Sequence, residues 1–180
     1  MKSFLPNMFY YGFAVVLLTT LDEKGKADIT PISCTFTLGT NAVIALVKLN
    51  QVYDNVKSTP EAVFNLPTAQ MWQQVEAIAP YTAKNPVPPQ KASKYTHTED
   101  QFTLGDFTQL ASEKVRPPRI DQCPIQAEAK VINIIDRDTY ALVELEFVQV
   151  HAEDDLVIEG NKINPLKWEP LIYNFKHYYG

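Results

Sequence analysis

The stretch that decides the fold reads FAVVLLTTL at 13–21, DEKGK at 22–26 and ADITPISCTFTL at 27–38. AVIALVKL follows at 42–49 and AVFNLP at 62–67. These runs are short, apolar and rich in β-branched residues, and turn residues bound them, a pattern of strands rather than helices. Asp22, Glu23, Lys24 and Gly25 supply a turn that folds 13–21 and 27–35 into a hairpin. The first run is almost continuously apolar, so both of its faces are covered, as in a barrel wall or a sandwich core. Pro31 has no N–H to give to a ladder and marks a bulge or an edge in the second run. Small polar residues surround it: Thr30, Ser33, Cys34, Thr35 and Thr37. Two readings stay open, an ordinary bulge at a barrel corner or a binding edge with free backbone N–H groups.

Outward from this stretch, residues 1–12 carry four aromatics and precede the first strand. Asn50 can cap a short helix through Ser58, with Val52 and Val56 facing inward, and Pro60 stops it. Thr68 can cap a second helix whose apolar face is Met71, Trp72, Val75, Ile78 and Ala79. Residues 80–98 are irregular, because Pro86, Pro88 and Pro89 exclude regular structure, and Lys84, Lys91 and Lys94 make the segment locally positive. A loop of this length is either functional or a solvated excursion. One or two helical turns fit within 99–114, and 115–119 is extended. From Gln126 the period returns to two; Asp136, Arg137 and Asp138 turn the chain, and 140–150 completes a long antiparallel hairpin. The last stretch carries an aromatic cluster of Tyr173, Phe175, Tyr178 and Tyr179. Six or so strands with one or two inserted helices predict a mainly β, antiparallel barrel rather than a parallel α/β sheet.

Composition narrows the function. The 180 residues read as one domain, 1–180, without internal repeats. A net charge of −5 without a basic run argues against nucleic acid. Run 13–21 is too short to span a membrane, and no secretory signal is evident. Cys34 and Cys123 form neither a disulfide framework nor a metal pattern, so a reducing cytoplasm is the expected setting. Cys34 reads as a reactive thiol or as a small hydrophobe in a strand. His97, His151 and His177 share no ligand spacing, so no metal site is expected. There is no nucleophile elbow, no phosphate loop and no dinucleotide fingerprint. No residue is assigned an acid, base or nucleophile role. His151, at a strand end before an acidic run, reads as structural or exposed.

Four segments in order resemble the flavin reductase-like, FMN-binding split-barrel family, which includes flavoredoxins and the reductase components of two-component monooxygenases. They are VLLTTLDEKGKADITPISC at 16–34, YDNVKSTPEAVFNLP at 53–67, DQFTL at 100–104 leading to DQCPI at 121–125, and VQVHAEDDL at 148–156 running on to YYG at 178–180. The resemblance implies a mainly β split barrel and a homodimer with FMN in a groove at the subunit interface. It also implies NADH or NADPH as electron donor. The alternatives it leaves are an FMN-binding electron carrier without a nicotinamide reaction, and a split-barrel binding module that has lost flavin. By the same resemblance Asp28, Thr30, Ser33, Cys34 and Thr35 face the flavin ring. Lys48, Asn50, Tyr53 and Asn55 fall around its phosphate end, and His151 approaches the flavin from its own or the partner subunit. The chain departs from the family at four of its positions. Asp28 replaces an Asn, Cys34 an aromatic residue, Val52 a Thr, and Gln101, also among the cofactor-contacting positions, a Lys. Lys91 or Lys94 on the proline-rich loop would then supply the missing charge. Each lost charged hydrogen bond would weaken flavin binding by about 1–3 kcal/mol.

Overall fold

The computed structural model describes residues 1–180. In chain order it contains β1 (Tyr11–Ala14), β2 (Val16–Leu21), β3 (Ala27–Ile32), β4 (Thr35–Leu38), β5 (Asn41–Val47), α1 (Gln51–Ser58), β6 (Glu61–Leu66), α2 (Trp72–Ile78) and α3 (Gln101–Leu104). The short strands β7 (Gln109–Leu110) and β8 (Arg119–Ile120) precede the long hairpin of β9 (Ile125–Asp136) and β10 (Tyr140–Ala152). Two small hairpins follow, β11 (Val157–Ile158) with β12 (Lys162–Ile163) and β13 (Ile172–Asn174) with β14 (His177–Tyr179).

Seven strands make the main sheet, in the order β3-β2-β6-β9-β10-β5-β4, with every pairing antiparallel. Its two edge strands, β3 and β4, are consecutive in sequence and joined only by Ser33 and Cys34. Edges of a flat seven-stranded sheet lie about 29 Å apart. Three virtual bonds from Ile32 to Thr35 reach at most about 11 Å. The sheet therefore curls until its edges nearly meet. β3 and β4 do not pair with each other, so the barrel stays split, and the Ser33–Cys34 link crosses the split. Its one ladder contact there is the Ala45 N–H donating to the Cys34 carbonyl at 3.0 Å.

The expected first hairpin forms as β2 and β3. Asp22 Oδ1 accepts the N–H groups of Lys24 and Lys26, each at 2.8 Å, and Gly25 takes the positive φ of 79° that the turn requires. Pro31 lies on an edge strand, opposite Leu17, where its missing N–H costs no ladder bond. Burial on both faces of β2 accounts for its unbroken apolar run. Val16 and Leu18 join the barrel interior with Ile44, Leu46, Phe64, Val143 and Leu145, which Val52 and Val56 of α1 also enter. Leu17 points to the opposite side, into a second core with Ile29, Val75 and Ile78 of α2, Phe102 and Leu171.

Several expectations from the sequence are corrected. Run 13–21 is two strands, not one, because the Val15 N–H turns away to the Leu171 carbonyl at 2.8 Å. β1 leaves the barrel to pair with β13, which pairs in turn with β14. Run 27–35 ends as a strand at Ile32, and Thr35 begins the next one. Neither Asn50, at the N-cap of α1, nor Thr68, at the N-cap of the 3₁₀ turn before α2, makes a side-chain cap hydrogen bond. The α2 helix starts only at Trp72, after a 3₁₀ turn. The helical turn within 99–114 is α3, where Asp100 Oδ1 accepts the Thr103 N–H at 3.0 Å.

Candidate functional site

The split in the barrel opens into a cavity of about 400 Å³. Three parts of the chain build it. Ile32, Ser33 and Cys34 form the wall at the seam, with Ala45, Leu46 and Val47 of β5 beside them. The small sheet contributes Tyr173 and Tyr178, and Tyr10 precedes it. The proline-rich segment arches over from the other side and contributes Thr82, Lys91 and Tyr95. The segment is pinned at its base by bridges between Thr82 and His97 and between Asn50 and Ala83.

The cavity is largely apolar, with 13 hydrophobic residues among its 18. Its aromatic wall is ordered by tilted ring contacts, Tyr10 to Tyr173 at 5.7 Å and Tyr173 to Tyr178 at 5.4 Å between centroids. Cys34 Sγ lies 3.6 Å from Tyr10 Oη as its hydrogen-bond donor. That contact, and then burial, push the Tyr10 phenol up to about 12. Burial likewise holds Tyr178 at about 12, so both phenols are neutral near pH 7. The single charged residue of the lining is Lys91. It is 8% exposed. Its ammonium donates to Asn50 Oδ1 and lies 4.0 Å from the centre of the Tyr95 ring. The Asn50 oxygen that would cap α1 is thus engaged by Lys91. Burial pushes the Lys91 ammonium below its ordinary range.

A second, polar cleft of about 570 Å³ lies on the other side of the same arch, lined by residues such as Asp22, Lys26, Asp28, Asn55, Lys84, His97, Glu99 and Gln101. Two of its lysines are paired, Lys26 to Glu99 at 2.8 Å and Lys84 to Asp54 at 2.7 Å. At its floor Asp28 is buried and accepts hydrogen bonds from Gln101 Nε2 at 2.7 Å and Thr30 Oγ1 at 3.1 Å. Burial raises the Asp28 carboxyl to about 6, against the opposing pull of those two donors. Asn55 is buried beside them, donating to Thr20 Oγ1 at 3.0 Å and accepting from Gln51 Nε2 at 2.9 Å.

The residues singled out from the sequence therefore separate into groups. Ser33, Cys34 and Asn50 line the cavity at the seam. Asp28, Asn55 and Gln101 line the polar cleft, with Thr30 buried behind Asp28. Thr35 begins β4 opposite Ile44. Lys48 and Tyr53 converge on Asp136, at 3.1 and 2.8 Å, outside both cavities. His151 lies in neither. Its Nε2 is 2.6 Å from Oε1 of Glu128, a fully buried carboxylate that also accepts the N–H groups of Glu113, Lys114 and Val115. Burial acts to raise the Glu128 carboxyl, but these donors outweigh it and hold the group below its ordinary range. The His151–Glu128 pair thus pins the 113–115 loop to the barrel wall. Sequence reasoning missed Tyr10, Tyr95, Tyr173 and Tyr178 as cavity residues. The aromatic clusters at both chain ends were visible, but no linear signal shows that they meet. No group of three or more His, Cys, Asp or Glu side chains is placed to hold a metal ion, and no helix is long and apolar enough to cross a membrane.

Residues 8–180 match the family model described as the flavin reductase like domain, and the chain belongs to that family. It is therefore a flavin-related oxidoreductase in kind. It is 38% identical over 183 residues to the uncharacterized protein YdfE of Bacillus subtilis (strain 168), covering 99% of this chain and 88% of that one. Among solved structures it is similar to the flavoredoxin of Desulfovibrio vulgaris (Miyazaki F), with a TM-score of 0.83 at 17% identity over 99% of this chain and 92% of that one. It is also similar to a putative flavin reductase with a split barrel domain from Shewanella frigidimarina NCIMB 400, with a TM-score of 0.76 at 16% identity over 93% and 81% of the two chains. At these identities the two structures establish the split-barrel fold.

Proposed function

We propose that this protein is an FMN-dependent oxidoreductase that takes electrons from NADH or NADPH, with the flavin held in the cavity at the barrel's split. The observation that carries this reading is the cavity itself, in a flavin reductase-like chain. Its volume lies within the range of small-molecule sites, and its walls are apolar and aromatic with a few convergent polar groups. A flat, aromatic, polar-edged ring fits such walls. The bound flavin would supply the two-electron chemistry. The chain's own residues would bind and orient: Tyr10 and Tyr173 offer ring faces, Ser33 and the seam backbone offer polar contacts to the ring edge, and Ile32 and Leu46 exclude water. Asp28, Thr30, Asn55 and Gln101 would then act from the far side of the arch, as supports rather than contacts.

The working unit in this reading is a homodimer. Phe36 and Leu38 of β4 are 62% and 72% exposed, and they share the outer face of the sheet with Val43, Ala45 and Val47 of β5 and with Tyr140 of β10. Ala45 and Val47 also line the cavity, so this apolar face runs up to its mouth. A second copy laid on the face would bury it and complete the wall. Cytoplasm is the compartment that suits two free thiols, Cys34 and Cys123.

The test is the visible spectrum of the purified protein before and after incubation with FMN and desalting, followed by steady-state NAD(P)H oxidation with added FMN. A retained or saturable flavin together with nicotinamide oxidation supports the reading. Flavin binding without oxidation assigns an electron carrier instead, and failure to saturate assigns a binding module without flavin. Light scattering of wild type against Phe36→Lys checks the dimer: a wild-type monomer overturns that part.

A further inference from the structure

Lys91 is out of place among the residues around it. Lysine is almost never fully buried without a partner. Here it is more than nine-tenths buried, and none of the protein's ion pairs includes it. No Asp or Glu lines its cavity, and the neighbouring Tyr10 and Tyr178 phenols stay neutral near pH 7. Of the three donors an ammonium carries, one goes to Asn50 Oδ1; the π face of Tyr95 adds a weak electrostatic contact. A buried cation held only by neutral groups is costly, and an anion is what relieves the cost.

The neighbouring backbone points the same way. Asn50 sits at the N-cap of α1, an eight-residue helix, yet its side chain makes no cap hydrogen bond. The N-cap residue and the ammonium thus meet at one corner of the cavity, and no Asp or Glu lines it. Backbone hydrogen bonds hold both. The Gln51 N–H donates to the Thr82 carbonyl at 3.1 Å, and the Lys91 N–H donates to the Pro88 carbonyl at 2.9 Å. The corner is therefore built by α1 and the arch together.

We propose that Lys91, held by Asn50, is the seat for the phosphate of a phosphorylated flavin and so the residue that makes this cavity prefer FMN to riboflavin. The inference rests on the flavin reading above and deepens it. A phosphate monoester presents a dianion with acceptor oxygens for the two unused Lys91 donors, and Asn50 keeps the ammonium aimed while the ligand is bound. The charge comes from the arch, at a position separate from Gln101, which lies in the other cleft and hydrogen-bonds Asp28.

The test is an equilibrium titration of the full chain with FMN and with riboflavin, read by flavin fluorescence, for wild type, Lys91→Met and Lys91→Arg. Inorganic phosphate is the competitor. Wild type is expected to bind FMN more tightly than riboflavin by on the order of 10–100-fold. Lys91→Met should bring the two flavins within a few-fold of each other by weakening FMN alone, and Lys91→Arg should keep part of the preference. Phosphate should compete with FMN and not with riboflavin. Equal affinity of wild type for the two flavins, or a preference that survives Lys91→Met, overturns the assignment while leaving the flavin reading standing. If wild type binds neither flavin, the flavin reading fails and this inference falls with it. The wild-type comparison needs no variant, so a misfolded Lys91→Met does not remove the test.

Discussion

The two hollows on either side of the proline-rich arch are similar in size and opposite in chemistry. The cavity at the seam is apolar and aromatic and contains one cation without an anion. The cleft behind the arch has a single hydrophobic lining residue among seventeen, and two of its three lysines, Lys26 and Lys84, already hold carboxylates. A lysine that already holds a carboxylate asks little of a ligand. A charge stranded in an apolar chamber asks more. The contrast separates two kinds of polar residue that look alike in sequence, those that complete the fold and those left for something else to complete.

The largest expected effect is a test of which hollow binds. Ser33→Trp places an indole in the cavity at the seam, and flavin affinity is expected to fall by at least on the order of 1,000-fold, since a site that encloses most of its ligand has no room to yield. Ser58→Trp, the same bulk at the cleft, should change it by less than about 2-fold. The measurement is the same fluorescence titration, with circular dichroism to confirm that both variants fold. The opposite pattern would move the flavin to the cleft and exchange the roles of the two regions.

What the sequence could reveal follows the same division. Local features were legible because their causes are local. The Asp22 turn, the Gly25 conformation and the edge position of Pro31 depend on a few adjacent residues and fold as read. The family resemblance carried the split barrel further than periodicity did. The cavity was not legible, because it exists only where β3 and β4 are brought together and where Tyr10 meets Tyr173 across most of the chain length. A positive arch was visible in Lys84, Lys91 and Lys94, but nothing in the spacing tells that Lys84 pairs with Asp54 while Lys91 turns inward. Asp28 and Gln101 read as two separate departures from the family; in space they are one contact at 2.7 Å, so the two changes compensate locally.

That contact sets the next prediction. The native Asp28 carboxyl titrates at about 6, against an ordinary 3.8. The folded state therefore holds the proton more tightly than the unfolded chain. The resulting cost to stability is absent below about pH 3, grows as pH rises through 4 towards 6, and is complete about a unit above 6. Asp28→Asn removes the charge while keeping an acceptor for Gln101 and offering an N–H to the Thr30 hydroxyl. Relative to wild type it should gain up to about 3 kcal/mol at pH 8, falling to about 1 kcal/mol at pH 4.5. Urea denaturation at the two pH values measures this. An equal gain at both would show that the cost of Asp28 is not one of charge burial. The cleft would then differ from the cavity by less than its chemistry suggests.

The smallest effect tests the claim that the cleft's paired lysines are already satisfied. Lys26 and Glu99 pair at 2.8 Å on its rim, but their side chains are largely exposed, and water screens such a pair. The Lys26 ammonium, by hydrogen bond and by charge, holds the Glu99 carboxyl below its ordinary range. Glu99→Gln should nevertheless shift the melting temperature by no more than about 1–2 °C at neutral pH, and the shift should shrink further as salt is added. It should leave the FMN-to-riboflavin preference as in wild type, because freeing Lys26 places a new cation only on the solvent side of the arch. A Glu99→Gln protein that bound FMN more tightly than wild type would show that the freed lysine reaches the phosphate. The arch would then not separate the two hollows electrostatically, and Lys91 would share its role with the rim.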